Sequence, residues 1–443
     1  MAKKVKLYQS RNMKFDNQEK IGFEIHNFAK KIWSYNRSIT GEENRKTLKQ
    51  LQKICKKLKI KSFKSRKKVL DWIVPDEWNV KDAWIKDSKG KKIIDFKKNN
   101  IHLIGYSTPI KKELSLKELK KKIFVDKDRP TAIPYITSYY QKRWGFCMSL
   151  KQFQKLKKQK YKILINSSLK PGVLNYGEVL IKGKSKKEIF LSTYICHPSL
   201  ANDNLSGIVT TIYLAKWIEN MKKRKYSYRI IFIPETIGSI AYLSKNLKKL
   251  KKNVFCGFNI SCVGDNRTYT YLPSRSGSTL SDEVALHVLK YLDKKFTKLT
   301  WFNRGSDERQ YCSPGVDLPI ASIMRTAFAR YPEYHTSDDN LKNVVTPKGL
   351  AGGFNALKKS IEAIENNCYP KARVLGMPQL GRRGLYTTLG TKKQNHNTRL
   401  MMNILTYSDG KNSLIKIAEK SNRPIWDTYK IIKILEKEKL ISI

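Results

Sequence analysis

The sequence predicts an α/β fold in which helices cover both faces of a mixed, largely parallel β-sheet. Short runs rich in β-branched and aromatic residues alternate with longer segments whose apolar residues recur at helical spacing. The runs at 189–195 and 228–233 are mostly apolar, as expected for strands that are buried on both faces of a sheet. A chain of 443 residues exceeds one ordinary core, so we expect two or three domains.

The order of the elements divides the chain into domains. Two helices, near 21–33 and 42–58, precede any strand. Short strand-like runs separated by turn signals follow them, and they predict a mainly β module that interrupts the α/β pattern. The predicted domains are an α/β domain (17–66 and 135–370), an inserted β domain (67–134) and a C-terminal domain (380–443).

The net charge of +52 is the strongest feature of the composition. It invites a nucleic-acid function, but the excess is mostly lysine spread over the surface segments rather than arginine clustered on one element. Spread charge supports weak, salt-sensitive binding and defines no site, so we do not favour nucleic acid as the partner of the main body. The surface still favours acidic partners such as anionic polymers, ribosomes or anionic lipid.

The composition predicts a cytoplasmic protein without a membrane span. No stretch approaches about 18 uninterrupted apolar residues. The basic start of the chain has no apolar segment behind it and does not resemble a secretory signal. The seven cysteines are dispersed and show no CxxC pairing, which indicates reduced thiols.

The stretch 189–207 holds the first candidate site. Its apolar run ends at Cys196-His197-Pro198, and a polar loop then leads to Ser206-Gly207 and a helical pattern. His197 therefore follows a strand and Asp203 precedes a helix, which is where ligands collect in an open α/β sheet. An imidazole and a carboxylate so close together suit a zinc-type site. Taken singly, His197 is more often a structural histidine and Asp203 more often a helix N-cap.

Further polar residues fall at equivalent places along the chain. Each of them follows an apolar strand or precedes a helix, so the topology places them on one rim of the sheet. They are Glu235, Asp265, Asp307 and His335.

These motifs resemble the zinc aminopeptidase superfamily with co-catalytic metals. The chain contains Asn-Asp-Asn-Leu-Ser-Gly from Asn202, a strand-end Glu235 and a late Tyr334-His335-Thr336. The resemblance is closer to a bacterial branch associated with surface-polysaccharide genes. The matching runs are Tyr-x-Cys-His-Pro-Ser-x-Ala-Asn-Asp-Asn-Leu-Ser-Gly from Tyr194, Pro-Glu-Thr-Ile-Gly-Ser-Ile-Ala-Tyr-Leu from Pro234 and Gly-Ser-Asp-Glu-Arg-Gln-Tyr-Cys-Ser-Pro-Gly-Val from Gly305.

The resemblance covers nearly the whole chain and implies both fold and site. It implies a phosphorylase/hydrolase-like mixed sheet with an inserted β domain and a C-terminal winged helix. His197 and His335 would be zinc ligands on opposite sides of Asp203, which could bridge two metals. Glu235 falls where the superfamily has its general base, which takes a proton from water acidified by zinc.

Two departures bear on the number of zinc ions. Thr236 stands where the superfamily has a second glutamate, and Asn259-Ile260-Ser261-Cys262 stands where it has a strand-end aspartate. Cys262 could be a thiolate ligand, Asp265 could reach in, or the position could be empty; a small buried thiol is the more ordinary interpretation of Cys262. His197, Asp203 and His335 alone would still hold one zinc with an open fourth position.

Three residues are candidates either for contact with the substrate or for support of the metal ligands from the outer shell. Asp307 could also be a loop N-cap or an ion-pair partner of a neighbouring arginine. Arg143 lies within the aromatic segment 139–147, which is either a packed domain junction or a substrate-facing wall where the guanidinium meets an anion. Tyr334 is a candidate because it precedes His335.

The C-terminal segment shows helix, turn, helix and strand in the order of a winged helix. Ser413 is a plausible N-cap of the first helix of this motif, and 425–437 forms the second. Basic residues on the second helix could contact DNA, but Trp426, Asp427 and Glu436 share it. We favour packing or dimerisation over sequence-specific DNA binding.

The sequence therefore predicts a cytoplasmic, zinc-dependent, aminopeptidase-like hydrolase. It would cleave an amide in a short peptide or in an aminoacyl or N-acyl sugar precursor, with one or two zinc ions and as a monomer or homo-oligomer. The alternative is a catalytically weakened scaffold or regulatory protein that contacts nucleic acid through the winged helix.

Overall fold

The computed structural model describes residues 17–385 and 396–443. The start of the chain, whose composition argued against a secretory signal, lies outside these residues. Within them, no helix combines the length and the hydropathy that crossing a membrane requires.

The helices and strands alternate along most of the chain, as the sequence predicts. The α-helices are α1 (Asn17–Ile32), α2 (Glu42–Ile54), α3 (Leu116–Lys120), α4 (Leu150–Gln154), α5 (Gly207–Glu219), α6 (Ile237–Asn253), α7 (Leu280–Leu292), α8 (Glu308–Tyr311), α9 (Pro347–Asn366), α10 (His396–Tyr407), α11 (Leu414–Lys420) and α12 (Tyr429–Lys437). The strands are β1 (Lys59–Lys64), β2 (Lys68–Val69), β3 (Trp72–Ile73), β4 (Glu77–Lys86), β5 (Lys92–Asp95), β6 (Ile110–Ser115), β7 (Ile123–Phe124), β8 (Phe146–Cys147), β9 (Lys160–Lys170), β10 (Val173–Ile181), β11 (Glu188–Tyr194), β12 (Ser227–Ile233), β13 (Val254–Asn259), β14 (Thr270–Leu272), β15 (Thr297–Lys298), β16 (Ile320–Met324), β17 (Lys371–Ala372) and β18 (Ile441–Ser442).

The main sheet of the described residues has eight strands in the order β1-β10-β12-β11-β13-β16-β14-β15. Its centre is parallel, because β11 pairs in parallel with both β12 and β13, and β13 pairs in parallel with β16. Antiparallel pairs appear toward the two edges, at β1–β10, β10–β12 and β14–β16. The predicted mixed, largely parallel sheet is confirmed.

Both faces of the central strands are buried. On β12, Tyr228, Ile230 and Phe232 pack in the core beneath α1, α2, α5, α7 and α9. The alternate residues Ile231 and Ile233 face the opposite side, where α6 and the β domain cover the sheet. Layers of helix, sheet and mixed helix–β structure thus hold the carboxyl ends of β11, β12 and β13 in place.

The inserted β domain is larger than predicted. Its four-stranded antiparallel sheet has the order β5-β4-β9-β6, in which β9 pairs with β4 over 162–170 and with β6 over 160–165. We had predicted the end of the insertion at 134 and placed the strand near 161–165 in the α/β domain. That boundary was wrong, because pairing between segments distant in sequence, which periodicity does not reveal, recruits Lys160–Lys170 into the inserted sheet.

The C-terminal domain has the helices and the short β17–β18 pair of a winged helix. Ser413 caps α11 as predicted, since its hydroxyl accepts a hydrogen bond from the N–H of Lys416 at 3.3 Å. Buried residues of α11 and α12 are continuous with the core beneath α7 and α9. The winged helix is thus packed onto the α/β domain.

Candidate metal centre

The loop between β11 and α5 presents the central carboxylate. At Asp203 (φ −108°, ψ 87°) and Asn204 (φ −137°, ψ 27°) the backbone is not helical, so α5 proper begins at Gly207. The Asn204 amide donates to Thr193 Oγ1 and to the Tyr194 carbonyl, both at 2.9 Å. These bonds fix the loop to the end of the central strand and hold the Asp203 side chain at the rim of the sheet.

Two imidazoles converge on one oxygen of Asp203. His335 Nε2 lies 3.0 Å from Asp203 Oδ2, and His197 Nε2 lies 3.8 Å from the same atom. The Tyr194 hydroxyl donates a hydrogen bond to the other oxygen, Oδ1. One ligand atom from each of His197, Asp203 and His335 lies within 4.8 Å of the others. The structure therefore brings together the three residues that the sequence predicted as ligands.

The protonation states suit metal ligation. Burial by itself would raise the pKa of Asp203, but His197, His335 and Tyr194 outweigh it and lower the pKa to about 2. Burial lowers the pKa of His197 to about 4, although the Asp203 charge opposes this. An ionised carboxylate and a neutral imidazole are the forms that bind a metal.

The geometry fits a zinc ion. Two ligands of one tetrahedral zinc, each about 2.0–2.1 Å from the metal, are about 3.3 Å apart. The observed distances of 3.0 and 3.8 Å lie on either side of that value. Imidazole nitrogen and carboxylate oxygen are also donors that zinc commonly takes. His197, Asp203 and His335 would thus hold one zinc ion with an open fourth position.

Glu235 lies beside this cluster, two residues after β12 ends. Its carboxylate, the Cys196 thiol and a ring nitrogen of His197 have ligand atoms within 4.8 Å of one another. Burial raises the pKa of Glu235 well above its ordinary value, and the charges of Asp307 and Asp203 raise it further. A carboxyl group next to a candidate metal-ligand cluster is placed to accept and return a proton.

Asp307 supports the turn that carries Glu235. Its Oδ1 accepts hydrogen bonds from the Thr236 N–H at 2.7 Å and from the Ser239 hydroxyl at 2.8 Å. Burial raises the pKa of Asp307 to about 7 although these two hydrogen bonds lower it. Arg309 donates to the Thr236 hydroxyl at 3.0 Å, so the residue in place of the second glutamate is held by its neighbours.

Backbone strain concentrates around the cluster. Thr236, a β-branched residue, has a φ of 62°, His335 a φ of 54°, and Cys262 a φ of 51°. Residues other than glycine adopt this region only at a cost of about 1–3 kcal/mol when the surroundings enforce it, and such residues gather at functional sites. The strain supports the assignment of this rim as the functional site.

The two uncertain ligands occupy supporting positions. Both oxygens of Asp265 accept hydrogen bonds from Thr326, at 2.7 and 2.8 Å, and Asn202 and Arg267 donate to them as well. Burial raises the pKa of the Cys262 thiol well above its ordinary value, which keeps the thiol protonated. Neither residue belongs to the ligand clusters found in the described part of the chain. This geometry does not support ligand roles for them.

Aromatic rings enclose His335, the candidate ligand that comes from the last loop. The ring of Tyr334 stacks on that of His335 with a centroid distance of 3.9 Å and an interplanar angle of 12°. Tyr135 approaches His335 edge-on at 5.1 Å, and its ring also lies 5.4 Å from that of His197. Arg143, by contrast, is exposed and does not belong to these clusters of described residues.

Sequence reasoning missed Asp339, Tyr194, Tyr135 and Arg37. The Asp339 carboxylate accepts the N–H groups of Asn202 at 2.7 Å and of Asp203 at 3.0 Å, so it shapes the loop that carries Asp203. Arg37 is fully buried and donates to the His197 carbonyl at 3.0 Å. Asp339 stands four residues after His335 and Tyr194 stands three residues before His197, and these spacings were the available signals. Tyr135 and Arg37 come from distant segments.

The fold and the cluster define the class of protein. A zinc aminopeptidase from Bacillus subtilis has the same fold, with a TM-score of 0.57, 13% identity, and coverage of 77% of this chain and 94% of that chain. The aminopeptidase-like fold and its resemblance to zinc aminopeptidases are thereby confirmed.

The particular family follows from closer relatives. The chain belongs to the family described as a domain of unknown function, DUF4910, whose model matches residues 26–367; a winged helix-turn-helix model matches residues 367–443. A Clostridium acetobutylicum protein, provisionally named a polysaccharide biosynthesis protein with an aminopeptidase-like domain, is 42% identical over 412 residues, which cover 93% of this chain and 94% of the relative. A crystal structure from that organism, provisionally named a peptidase, has a TM-score of 0.91 and 40% identity, and covers 96% of this chain and 97% of that chain.

Proposed function

We propose that this protein is a zinc-dependent amide hydrolase with a single zinc ion held by His197, Asp203 and His335. One observation carries the proposal. Both imidazoles face the same oxygen, Asp203 Oδ2, and the Tyr194 hydroxyl donates a hydrogen bond to the other oxygen, Oδ1. A carboxylate that bridges two metals would offer one oxygen to each. The superfamily's second glutamate is replaced by Thr236, which agrees with one ion rather than two.

The residues around the ion have separate roles in amide cleavage. Zinc bound there would lower the pKa of a water molecule and polarise the substrate carbonyl. The Glu235 carboxylate would accept a proton from the attacking water and return it to the leaving amine, since it lies beside His197 in the cluster. Asp307 would keep Glu235 in position through the backbone of Thr236. The rings of Tyr135 and Tyr334 would exclude bulk water from the side of His335.

The substrate is proposed from the chemistry and from the relative's name. An aminopeptidase-like site acts on an amide, and the Clostridium relative is named for polysaccharide biosynthesis. We therefore place an aminoacyl or N-acyl sugar precursor ahead of a short peptide. The seven cysteines are all free and buried, which agrees with the cytoplasmic location that we propose.

Metal content and turnover together test this function. Purified protein is expected to hold about one zinc per chain by elemental mass spectrometry, and H197A and H335A are expected to lose it. H26A is the matched control, since His26 contacts the Leu341 carbonyl and belongs to neither cluster, and it should keep its zinc. E235Q should retain zinc while the rate of amide hydrolysis falls by about 10²–10⁴-fold.

The competing proposal is that the protein is a scaffold without hydrolase activity. It is favoured by Asn259, whose side-chain amide donates to Glu308 at 2.9 Å near where the superfamily has a strand-end aspartate. A scaffold could keep its zinc, but wild type and E235Q would then be equally inactive on every aminoacyl and N-acyl sugar amide tried. Two zinc ions per chain would contradict the mononuclear proposal, and no zinc after resupply would contradict the hydrolase.

A further inference from the structure

A small apolar surface lies on the inserted β domain, outside the site already described. Four side chains are markedly exposed: Leu70 by 52%, Trp72 by 38%, Ile73 by 56% and Tyr140 by 53%. The Trp72 and Tyr140 rings contact each other edge-on at 5.8 Å, and the Tyr140 hydroxyl donates to the Ile73 carbonyl at 3.1 Å. We call these four residues the aromatic platform. Contiguous exposed apolar side chains make this surface a candidate binding surface.

A basic groove adjoins the platform, because its lining residue Lys68 pairs with Ile73 across the β2–β3 hairpin. Its volume is about 720 Å³, and none of its nine lining residues is acidic. The lining residues are Ser62, Phe63, Lys64, Ser65, Arg66, Lys67, Lys68, Ser244 and Lys245. Arg66 pairs with Asp76 at 3.0 Å, but none of the ion pairs found in the described part of the chain involves the four lysines. The groove is therefore suited to an anion.

The platform adjoins a segment that leads to the metal centre. Tyr140 follows Tyr139, whose ring packs edge-on against Tyr106 at 5.7 Å. Tyr135, a few residues earlier in the same segment, contacts the rings of His197 and His335. A molecule bound on the platform would thus be held by the segment that also walls the metal centre.

We propose that the aromatic platform and the basic groove together bind an anionic glycan. The C–H faces of sugar rings pack on exposed aromatic rings, whose faces carry partial negative charge, and lysines in the groove pair with carboxylate or phosphate groups along the chain. The inference rests on the proposed function, because it names an anionic glycan, or its precursor, as the substrate class of the amide hydrolase.

Single-stranded nucleic acid is the nearest rival ligand, because bases also stack on aromatic rings beside basic residues. The platform rings are inclined to each other by 62°, so successive parallel bases could not stack on both. Sugar units joined by flexible linkages can present their faces at such different tilts. The geometry therefore favours the glycan.

Binding to a defined probe tests the proposal. A hexamer of galacturonic acid is titrated into the full-length, zinc-loaded protein by calorimetry, beside neutral maltohexaose and an oligothymidylate. Trp72→Ala combined with Tyr140→Ala, and separately the triple variant Lys64→Gln, Lys67→Gln and Lys68→Gln, should each weaken hexagalacturonate binding at least ~10-fold. The control is the triple variant Lys155→Gln, Lys157→Gln and Lys158→Gln, which removes the same charge from another exposed lysine cluster and should leave affinity unchanged.

The possible outcomes distinguish glycan binding from amide hydrolysis. Selective loss of hexagalacturonate binding in the platform and groove variants, with zinc content unchanged, supports the proposal. An equal loss of hexagalacturonate affinity in the control variant would show that binding depends only on overall charge. If oligothymidylate binds more tightly than hexagalacturonate and loses affinity in the same variants, the surface binds nucleic acid. Either result overturns the proposal, as does the absence of hexagalacturonate binding. E235Q should bind hexagalacturonate like wild type, so failure of the hydrolase would not imitate failure of the glycan surface.

Discussion

At the residue scale, Asp203 organises the candidate metal centre. Its side chain is fully buried, receives the Tyr194 hydroxyl on one oxygen and faces two imidazoles with the other. Its backbone is held as well, because Asp339 accepts the N–H of Asp203 at 3.0 Å. Such supporting groups orient ligands and influence metal affinity nearly as strongly as the ligands do.

Replacing Asp339 by asparagine should weaken zinc binding. The Asp339 carboxylate accepts from two backbone N–H groups and from the Tyr331 hydroxyl, so an asparagine side chain would turn an NH2 group toward at least one donor. We expect D339N to lower zinc affinity about 10–100-fold, measured by competition with a chelator. D338N is the matched control, because Asp338 pairs with Arg129 in a half-exposed position. Equal affinities in D339N and D338N would contradict the role of Asp339.

At the scale of elements, a polar network ties the inserted domain to the main sheet. Arg45 on α2 donates to both oxygens of Glu77, the first residue of β4, at 2.6 and 3.0 Å. It also donates to Asn175 on β10 at 3.0 Å, so one guanidinium joins a helix, the inserted sheet and the main sheet. The domain that supplies Tyr135 to the candidate metal centre is thereby fixed to the sheet that supplies His197 and Asp203.

This network should make stability depend on pH. Burial would raise the pKa of Glu77, but Arg45, Asn79 and the Val173 N–H outweigh it and lower the pKa from 4.5 to about 2. The carboxylate therefore contributes stability fully above about pH 4.5, and the contribution is lost as the pH falls through about 2. In urea unfolding, E77Q should lose roughly 2–3 kcal/mol near pH 7, and the difference from wild type should shrink near pH 3.

The control for this experiment lies in the same domain. Glu113 pairs with Lys160 at 3.5 Å on an exposed surface, so E113Q should change the free energy of unfolding by less than about 0.5 kcal/mol at either pH. A destabilisation by E77Q that stays constant between the two pH values would show that the lowered pKa makes no contribution.

At the scale of the whole molecule, the winged helix is fastened to the α/β domain. His287 on α7 contacts Glu419 on α11 through Nδ1, and its Nε2 accepts the N–H of Ile425 at 2.8 Å. The Lys359 ammonium lies 3.9 Å from the centroid of the Trp426 ring, just before α12, and Tyr291 contacts the same ring edge-on. These contacts support our proposal that the winged helix serves packing rather than sequence-specific reading of DNA.

Removing the Trp426 side chain should loosen this junction. W426A is expected to cost about 1–3 kcal/mol in unfolding free energy, since the ring loses apolar packing and a cation–π contact, and to increase the radius of gyration measured by X-ray scattering. F302A is the control, because Phe302 is 89% exposed and its removal should cost less than about 0.5 kcal/mol. An unchanged radius and stability in W426A would show that the domains are held by other contacts.

Much of this protein was determined by the sequence itself. Apolar strand runs that end in His197 and just before Glu235, together with the loop around Asp203, were sufficient to predict the α/β fold and the rim of the sheet where the candidate ligands lie. Such patterns are local, because a strand buried on both faces needs apolar side chains and a ligand loop needs polar ones. The same holds for the winged helix, whose helix starts and turns are encoded over a few residues.

Only the tertiary structure decided the contacts between distant segments. The pairing of β9 with the inserted sheet, Asp339 beneath the Asp203 loop, and Tyr135 against His335 each join residues far apart in the chain. Both imidazoles lie near the same oxygen of Asp203 because the three loops that carry these residues meet at one point. Periodicity and motif spacing carry no information about such distances, which are fixed by the packing of the whole molecule.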